Sequence, residues 1–486
     1  PMLFEMLNEI IRVPQGDWSA PGASALRRYN LHYFDDLNAD RAETRSLWHE
    51  GPISDWINAN SLGAGIGWDP SPTSLRMVNW IKYALAGQSL PEEAIASLAT
   101  QARFLRQRLE YHLLGNHLFA NAKALVFAGA WFDGGEAGTW LHKGMAILAR
   151  EIPEQILPDG GQFERSPMYH ALALEDVLDL INIARAFPAA IPDRWKPLAY
   201  SWPETALRML RALDAMCHPD SQIALFNDAA FGVAPAPAEL RRYARELLGN
   251  VGATLPRLVH LADSGYVRAE SRDAVLIADV APIGPDYLPG HAHADTLSFE
   301  LSLFGTRTIV NGGTSRYGTG PEREAERGTP AHSTVTVDGE NSSEVWAGFR
   351  VARRAKPFDL KVEETGDEVL VSCAHDGYKR LPGKPVHRRD WHLRDGTLRV
   401  EDRIEGTYRS GQARYHLHPS VEVTLDPDGR SGLLKLPSGH QVHWRTSHAA
   451  RIETSHYAPE FGQKLETRCL VLELQGPTPA WLQLSW

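Results

Sequence analysis

Several stretches of the chain set ionisable side chains beside small or turn-forming residues, as acid–base chemistry requires. The densest is Pro289-Gly290-His291-Ala292-His293-Ala294-Asp295, followed by a strand pattern from Ser298 to Leu303. In extended backbone, residues two apart point to the same side, about 7 Å from each other. Both imidazoles can therefore serve one site, and the small alanines leave it room. His-x-His with a following acid suits a catalytic pair or a metal site, although a chain with 20 histidines also contains such pairs by chance.

A second stretch, Asp159-Gly160-Gly161-Gln162-Phe163-Glu164-Arg165-Ser166-Pro167-Met168-Tyr169-His170, is a glycine-rich loop running into a helix. It puts Tyr169 and His170 in the first helical turn, where side chains project readily into a groove. Packing produces Tyr-His pairs too, and Arg165 can equally salt-bridge a neighbouring acid. Gly115-Asn116-His117 opens another helix: Asn116 reads as an N-cap after a helix-stop glycine, or as an amide that hydrogen-bonds an acidic sugar beside His117. In Ala331-His332-Ser333-Thr334-Val335-Thr336-Val337-Asp338-Gly339, His332 starts a strand that ends in an Asp-Gly turn. It gains interest as a further nitrogen ligand for a metal shared with His293. Weaker candidates are Asn227-Asp228, which reads as a turn and cap, and Trp68 and Arg76, which mix a sugar-stacking surface with helix core. No P-loop, GxGxxG or GxSxG motif is present, so nucleotide-dependent and serine-hydrolase chemistry lack their usual signatures.

The elements that must carry these residues fall into two halves. Up to residue 258 the pattern is helical: Ile95, Leu98, Ala102, Leu105, Leu109 and Leu113 recur as one face of a long helix. Leu174, Val177, Leu178 and Ile181 repeat the pattern, as do Leu207, Leu210 and Leu213 behind Pro203, placed in a first turn. From residue 259 to 486 the period becomes two, in Phe299/Leu301/Leu303, Val335/Val337, Leu398/Val400, Val421/Val423 and Leu470/Leu472/Leu474. Asp-Gly and Ser-Gly turns separate these runs. An all-α domain (1–258) followed by stacked antiparallel β-sheets (259–486) is the expected architecture.

Of the 486 residues, 43% are hydrophobic and 23% are charged, enough for two domains with their own cores. The formal net charge of −10 argues against a broad nucleic-acid surface, yet leaves room for a locally basic cleft that takes a polyanion. The 3 cysteines lie far apart and outside any metal-type spacing. No apolar run approaches the roughly 20 residues of a membrane span, and no signal peptide follows Pro1.

Taken in series, GNHLFANAKAL, LPDGGQFERSPMYH, PGHAHADTLSFEL, VNGGTSRYG and AHSTVTVDG resemble the heparinase II/III family of polysaccharide lyases, over residues 115 to 339. The resemblance implies an incomplete (α/α) toroid followed by an antiparallel β-sandwich, with the active site in the cleft between them. It implies that Asn116, helped by His117, neutralises a uronate carboxylate. Tyr169 becomes acid and in some cases base, His291 completes the acid/base set, and His170 supports them. Arg165, Arg76, Trp68 and Arg316 are the expected substrate-binding residues. The family's structural cation, zinc, manganese or calcium, would be held by positions matching His293, Asn311 and His332, and no organic cofactor is expected. Asn311 departs from the pattern, which has aspartate there, and a neutral amide is the poorer cation ligand. The implied partner is an acidic polysaccharide met in the periplasm or outside the cell.

The implied reaction removes the C5 proton beside the carboxylate and expels the glycosidic oxygen on C4. Donors must stabilise the enolate-like charge, a base must reach C5 and an acid must reach O4. A tyrosinate base would need cationic neighbours such as His170 or Arg165, since the reference phenol titrates near 10. For glucuronate, proton and leaving group lie on one side and Tyr169 could do both jobs; for iduronate or guluronate they lie on opposite sides and His291 becomes the natural base. The competing classes are a glycoside hydrolase on a helical toroid, which needs a carboxylate pair, a metal-dependent hydrolase built on His291, His293 and His332, and an inactive glycan-binding protein.

Overall fold

The computed structural model describes residues 2–252, 254–476 and 478–486; Pro1, Ala253 and Pro477 lie outside the described residues. After a hairpin of Met2–Met6 and Glu9–Val13, the chain is helical up to Pro237–Leu248, and from Leu258–Leu261 onward it is mainly antiparallel strands. One compact unit comprises residues 1–155, 173–206 and 246–249; the other comprises 156–172, 207–245 and 250–486. The first turn of the helix Pro167–Ala186 thus belongs to the second unit, together with the strands. Among the described residues no helix is long and apolar enough to cross a membrane.

In the first unit the helices Glu92–Arg106, Gly115–Trp131 and Gly135–Gln155 bury Leu98, Ala102, Leu105, Leu125 and Leu148 completely. The long helix expected through Leu113 ends at Arg106, and turns lead from it to the next helix at Gly115. Gln107 and Arg108 donate back to Phe104 O and Leu105 O in tight turns, and the Asn121 side chain then takes Glu110 N (2.9 Å) and donates to its carboxylate (3.0 Å). Those local bonds draw the chain out of the helix, and Leu113 ends up exposed. Pro203 also differs from expectation, lying inside the helix Lys196–Ala215. A proline there forgoes one backbone bond, while Trp202, Leu210 and Leu213 stay buried on the same helix.

Among the described residues the second unit holds three larger sheets. Strands Leu258–Leu261, Tyr266–Glu270, Ala274–Asp279, Phe299–Leu303 and Thr306–Ile309 pair in sequence order, and further sheets have eight and four strands. The Asp395-Gly396 turn joins Val386–Arg394 to Thr397–Glu405 with Arg394 opposite Thr397. Strand Phe299–Leu303 alternates apolar and polar as expected, yet is buried on both faces. Its polar face meets charge rather than water: Glu300 accepts from His218 (2.8 Å) and Arg307 (3.2 Å).

A buried polar knot ties this unit to the segments that carry the histidines. The Asp402 carboxylate accepts from Arg389 (2.7 and 2.9 Å), His387 (2.7 Å) and Tyr415 (3.1 Å). Arg389 also donates to Leu297 O (2.9 Å) and Ser333 O (2.6 Å). One guanidinium therefore anchors both the loop after His291–His293 and the segment after His332. His332 itself precedes its strand, capping a short turn at Thr329–Ala331, and Val335–Val337 begins three residues later.

Candidate functional site

The glycine loop before Tyr169 is held by one carboxylate. Asp159 accepts from Asp263 N (2.8 Å), Ser264 N (2.7 Å), the Ser264 hydroxyl (2.7 Å) and Gly161 N (2.9 Å). Gly160 has φ +91°, and a Cβ there would run into the Arg208 carbonyl, so both conformation and space require glycine. Ser166 caps the helix that follows: its hydroxyl accepts from Tyr169 N (3.2 Å) and donates to Asp228 O (2.5 Å).

Tyr169 and His291 meet. Their ring centroids are 4.0 Å apart with 33° between the planes. The Tyr169 hydroxyl lies 3.0 Å from the Tyr317 hydroxyl, and His291 meets the Phe349 ring edge-on at 5.9 Å. The group that organises this cluster is Asp228, which in the sequence shows only the features of a turn and cap residue. His291 Nδ1–H donates to one of its oxygens (3.0 Å) and His293 Nε2–H to the other (2.8 Å). Arg323, fully buried, places two guanidinium nitrogens on the same carboxylate. Burial alone would raise the Asp228 carboxyl; Arg323 and the two histidines outweigh it and hold it well below the usual range. Asn227, at φ +56°, accepts from His293 N (3.0 Å) and donates to Arg165 O (2.9 Å), linking the histidine loop to the tyrosine loop. Glu164 sets a carboxylate oxygen 3.8 Å from His291 Nε2.

Burial pushes the Tyr169 phenol well above 10, with Asp228 and Glu164 adding to the effect. A protonated hydroxyl is thus the resting form and suits an acid. The supports expected for a tyrosinate are absent. His170 bonds Met209 O (2.9 Å) and burial takes its pKa down to about 4, so it is neutral. Arg165 spends its guanidinium on the carbonyls of Ser264 (3.1 Å), Phe163 (3.4 Å) and Asp263 (3.4 Å). Arg316 is exposed beside Tyr317, loosely paired to Glu322 at 3.4 Å.

Arg76 and Trp68, expected at the substrate, are core. Arg76 is fully buried, lies 3.7 Å over the Trp56 ring and donates to Gln101 (3.0 Å) and Gly67 O (2.8 Å). Trp68 is buried, donates to Asn60 O (3.0 Å) and packs on Phe104. Asn116, half-buried in the first turn of Gly115–Trp131, has no side-chain hydrogen-bond partner among the described residues. His117 approaches Glu110 at 3.3 Å.

The expected cation ligands lie close together without sharing a centre. His293 and His332 have ring centroids 5.2 Å apart, and among the described residues His293 Nδ1 and His332 Nε2 have no hydrogen-bond partner. The Asn311 oxygen, however, faces the other edge of His332, at Nδ1 (3.4 Å), and accepts from Ser333 N (3.4 Å). Among the described residues no group of three His, Cys, Asp or Glu side chains could hold a metal ion. This donor set does not fit the three-ligand site.

Comparison with known proteins agrees with the motif series. Residues 82–245 match the heparinase II/III N-terminus family and residues 253–481 the heparinase II/III-like C-terminal family. A heparin-sulfate lyase of Pedobacter heparinus is 26% identical over 332 residues, covering 59% of this chain and 47% of that protein. An FtsZ-localized protein C of Caulobacter vibrioides is 26% identical over 505 residues, covering 96% of this chain and 82% of that protein. A crystal structure of heparinase III superposes with a TM-score of 0.76 at 18% identity, over 93% of this chain and 76% of that one. At that identity the likeness carries the fold, and the expected helical toroid followed by an antiparallel β-sandwich stands. The chain spans about half the length of the heparin-sulfate lyases it matches.

Proposed function

This chain belongs to the heparinase II/III-like family, and on that premise we propose that it is a polysaccharide lyase cutting a uronic-acid-containing glycan by β-elimination. The observation that supports the reading is the contact of Tyr169 with His291, one a protonated acid and the other an imidazole whose Nδ1 is committed to Asp228. In the proposed step His291 Nε2 takes the C5 proton. The electron pair of that C–H bond forms the C4–C5 double bond, the C4–O4 bond breaks, and O4 takes the Tyr169 proton. Solvent then restores the phenol and the neutral imidazole.

The same contact bears on the epimer. A sugar ring held between two side chains needs about 7 to 8 Å between them, two van der Waals contacts of 3.5 to 4.0 Å. Rings 4.0 Å apart leave no such gap, so acid and base approach one face of the sugar. That favours syn elimination, the geometry of a glucuronate-type residue. Arg316, exposed and loosely paired to Glu322, is the cation assigned here to acidic groups of the polymer. The resemblance assigns the reacting carboxylate to Asn116, which is tested separately by Asn116→Ala. A polymer of this kind is met outside the cytoplasm, so periplasmic or secreted placement goes with the reading.

The test is a panel of heparosan, heparan sulfate, hyaluronan, chondroitin sulfate, dermatan sulfate and alginate, followed by the near-ultraviolet absorbance of unsaturated uronate ends. Product from a glucuronate polymer, and little from the iduronate and guluronate ones, is expected. New reducing ends without that absorbance, or no cleavage at all, would overturn the proposal. The match to FtsZ-localized protein C over 96% of the chain favours a second reading, a protein that associates with FtsZ. Co-sedimentation with FtsZ polymers, with no turnover on the glycan panel, would establish it instead.

A further inference from the structure

Asp228 and Arg323 form an ion pair that is fully removed from water. Such pairs contribute little net stability, because desolvation offsets the attraction, and apolar residues of similar volume often do as well. What a bidentate guanidinium–carboxylate pair does supply is orientation, since two parallel bonds fix the plane of the carboxylate. Here the guanidinium is itself fixed. It donates twice to Gly348 O (3.2 and 3.1 Å) and lies against the rings of Tyr317 and Phe349, 5.1 and 5.4 Å away. With both oxygens so oriented, the remaining acceptor directions of Asp228 meet His291 Nδ1 and His293 Nε2. The peptide repeats the connection, since Asp228 N donates to His291 O (2.9 Å).

We propose that Asp228, clamped by Arg323, is the positioning residue of this site: it fixes His291 as the tautomer protonated on Nδ1 and leaves Nε2 as the bare nitrogen that meets the substrate. An acceptor-only carboxylate opposite Nδ1 admits only a donor there. Nε2 then carries the lone pair, on the edge of the ring where Glu164 approaches at 3.8 Å. The role of this nitrogen as base rests on the lyase reading; the tautomer does not.

The tautomer can be read in the whole protein by nitrogen-15 NMR of histidine-labelled samples, with the His291 signals assigned by their loss in His291→Ala. In the parent protein at neutral pH, Nδ1 should resonate as a protonated ring nitrogen and Nε2 as an unprotonated one. Asp228→Asn can turn its amide N–H toward Nδ1, so this signature should be lost or reversed. In the same variant kcat should fall by about a thousandfold or more, the scale reached when a histidine base loses its orienting carboxylate, with KM within a few-fold. Arg323→Lys keeps the charge without the fork and should retain part of the rate; Arg323→Met should lose as much as Asp228→Asn.

A parent protein with the proton on His291 Nε2 would overturn the proposal, and this outcome needs no variant to fold. So would an Asp228→Asn protein with a native-like melting curve and kcat within threefold of the parent. If no glycan on the panel is cleaved but the Nδ1–H signature is present, the lyase reading fails and the positioning role stands.

Discussion

Replacing Tyr169 by phenylalanine separates chemistry from architecture. The ring keeps its contact with His291 at 4.0 Å, and the lost hydroxyl takes with it one hydrogen bond, to Tyr317 at 3.0 Å. A neutral hydrogen bond is worth about 1 kcal/mol net, so the stability change should be near that value, a shift of a few degrees or less in Tm. The catalytic cost is larger. A positioned general acid contributes roughly 10²- to 10⁴-fold, or about 3 to 5 kcal/mol of barrier at 1.36 kcal/mol per decade. Tyr169→Phe should therefore lose at least a hundredfold in kcat while melting like the parent, with substrate affinity little changed. The assay is the initial rate of near-ultraviolet absorbance on the best substrate of the panel, with calorimetry on the same sample. A folded Tyr169→Phe protein within fivefold of the parent rate would refute Tyr169 as the acid.

In the first unit, Lys123 lies between Asp176 (2.7 Å) and the buried Asp179 (2.6 Å), which Lys82 also reaches at 3.1 Å; Lys123→Met removes one of the two lysines on Asp179 and the lysine on Asp176 and should cost about 3 kcal/mol in denaturant unfolding, and a loss under 1 kcal/mol would count against a structural role for this cluster. Burial raises Asp295 to about 7, above its unfolded value. Its stability contribution is therefore fully present below the unfolded pKa and is lost as pH rises through about 7. Asp295→Asn should accordingly gain on the parent between pH 5 and 8 in urea titrations, whereas a gap that stays flat or narrows would contradict the raised carboxyl. Because Asn311 faces the wrong edge of His332, the purified protein should hold well under one equivalent of divalent metal by emission spectrometry, and chelation should leave its rate unchanged. A stoichiometric metal whose removal abolishes turnover would reverse that conclusion.

Much of the site was legible because its carriers are local. Gly160-Gly161 before a helix start, His-x-His between alanines, and the Asp-Gly turns between strands each encode their geometry within a few residues. Such signals single out the segments of Tyr169 and His291 as candidates; the roles of the two residues follow only from the resemblance of the whole motif series to a lyase family. Trp68 and Arg76 were misread for the opposite reason: on a helix, an aromatic and a cation look the same whether they face a groove or a core. Only packing, with Arg76 over Trp56 and bonded to Gln101, shows that they face the core.

Asp228 shows where sequence reasoning stops. In Leu225-Phe226-Asn227-Asp228-Ala229 nothing distinguishes this acid from a turn residue. Its partners His291, His293 and Arg323 lie 63, 65 and 95 positions away. A signal was present in the left-handed propensity of Asn227 and in an acid set among apolar residues, but neither names a partner. Period and turn chemistry in the sequence alone determine the helix-then-sheet order and the motifs that deliver Tyr169 and His291, because those depend on neighbours along the chain. Tertiary structure decides which carboxylate orients the histidine, which arginine clamps that carboxylate, and that Asn311 turns away from the expected cation position. Those outcomes depend on which distant polar groups satisfy one another once water is excluded, and no local pattern encodes that choice.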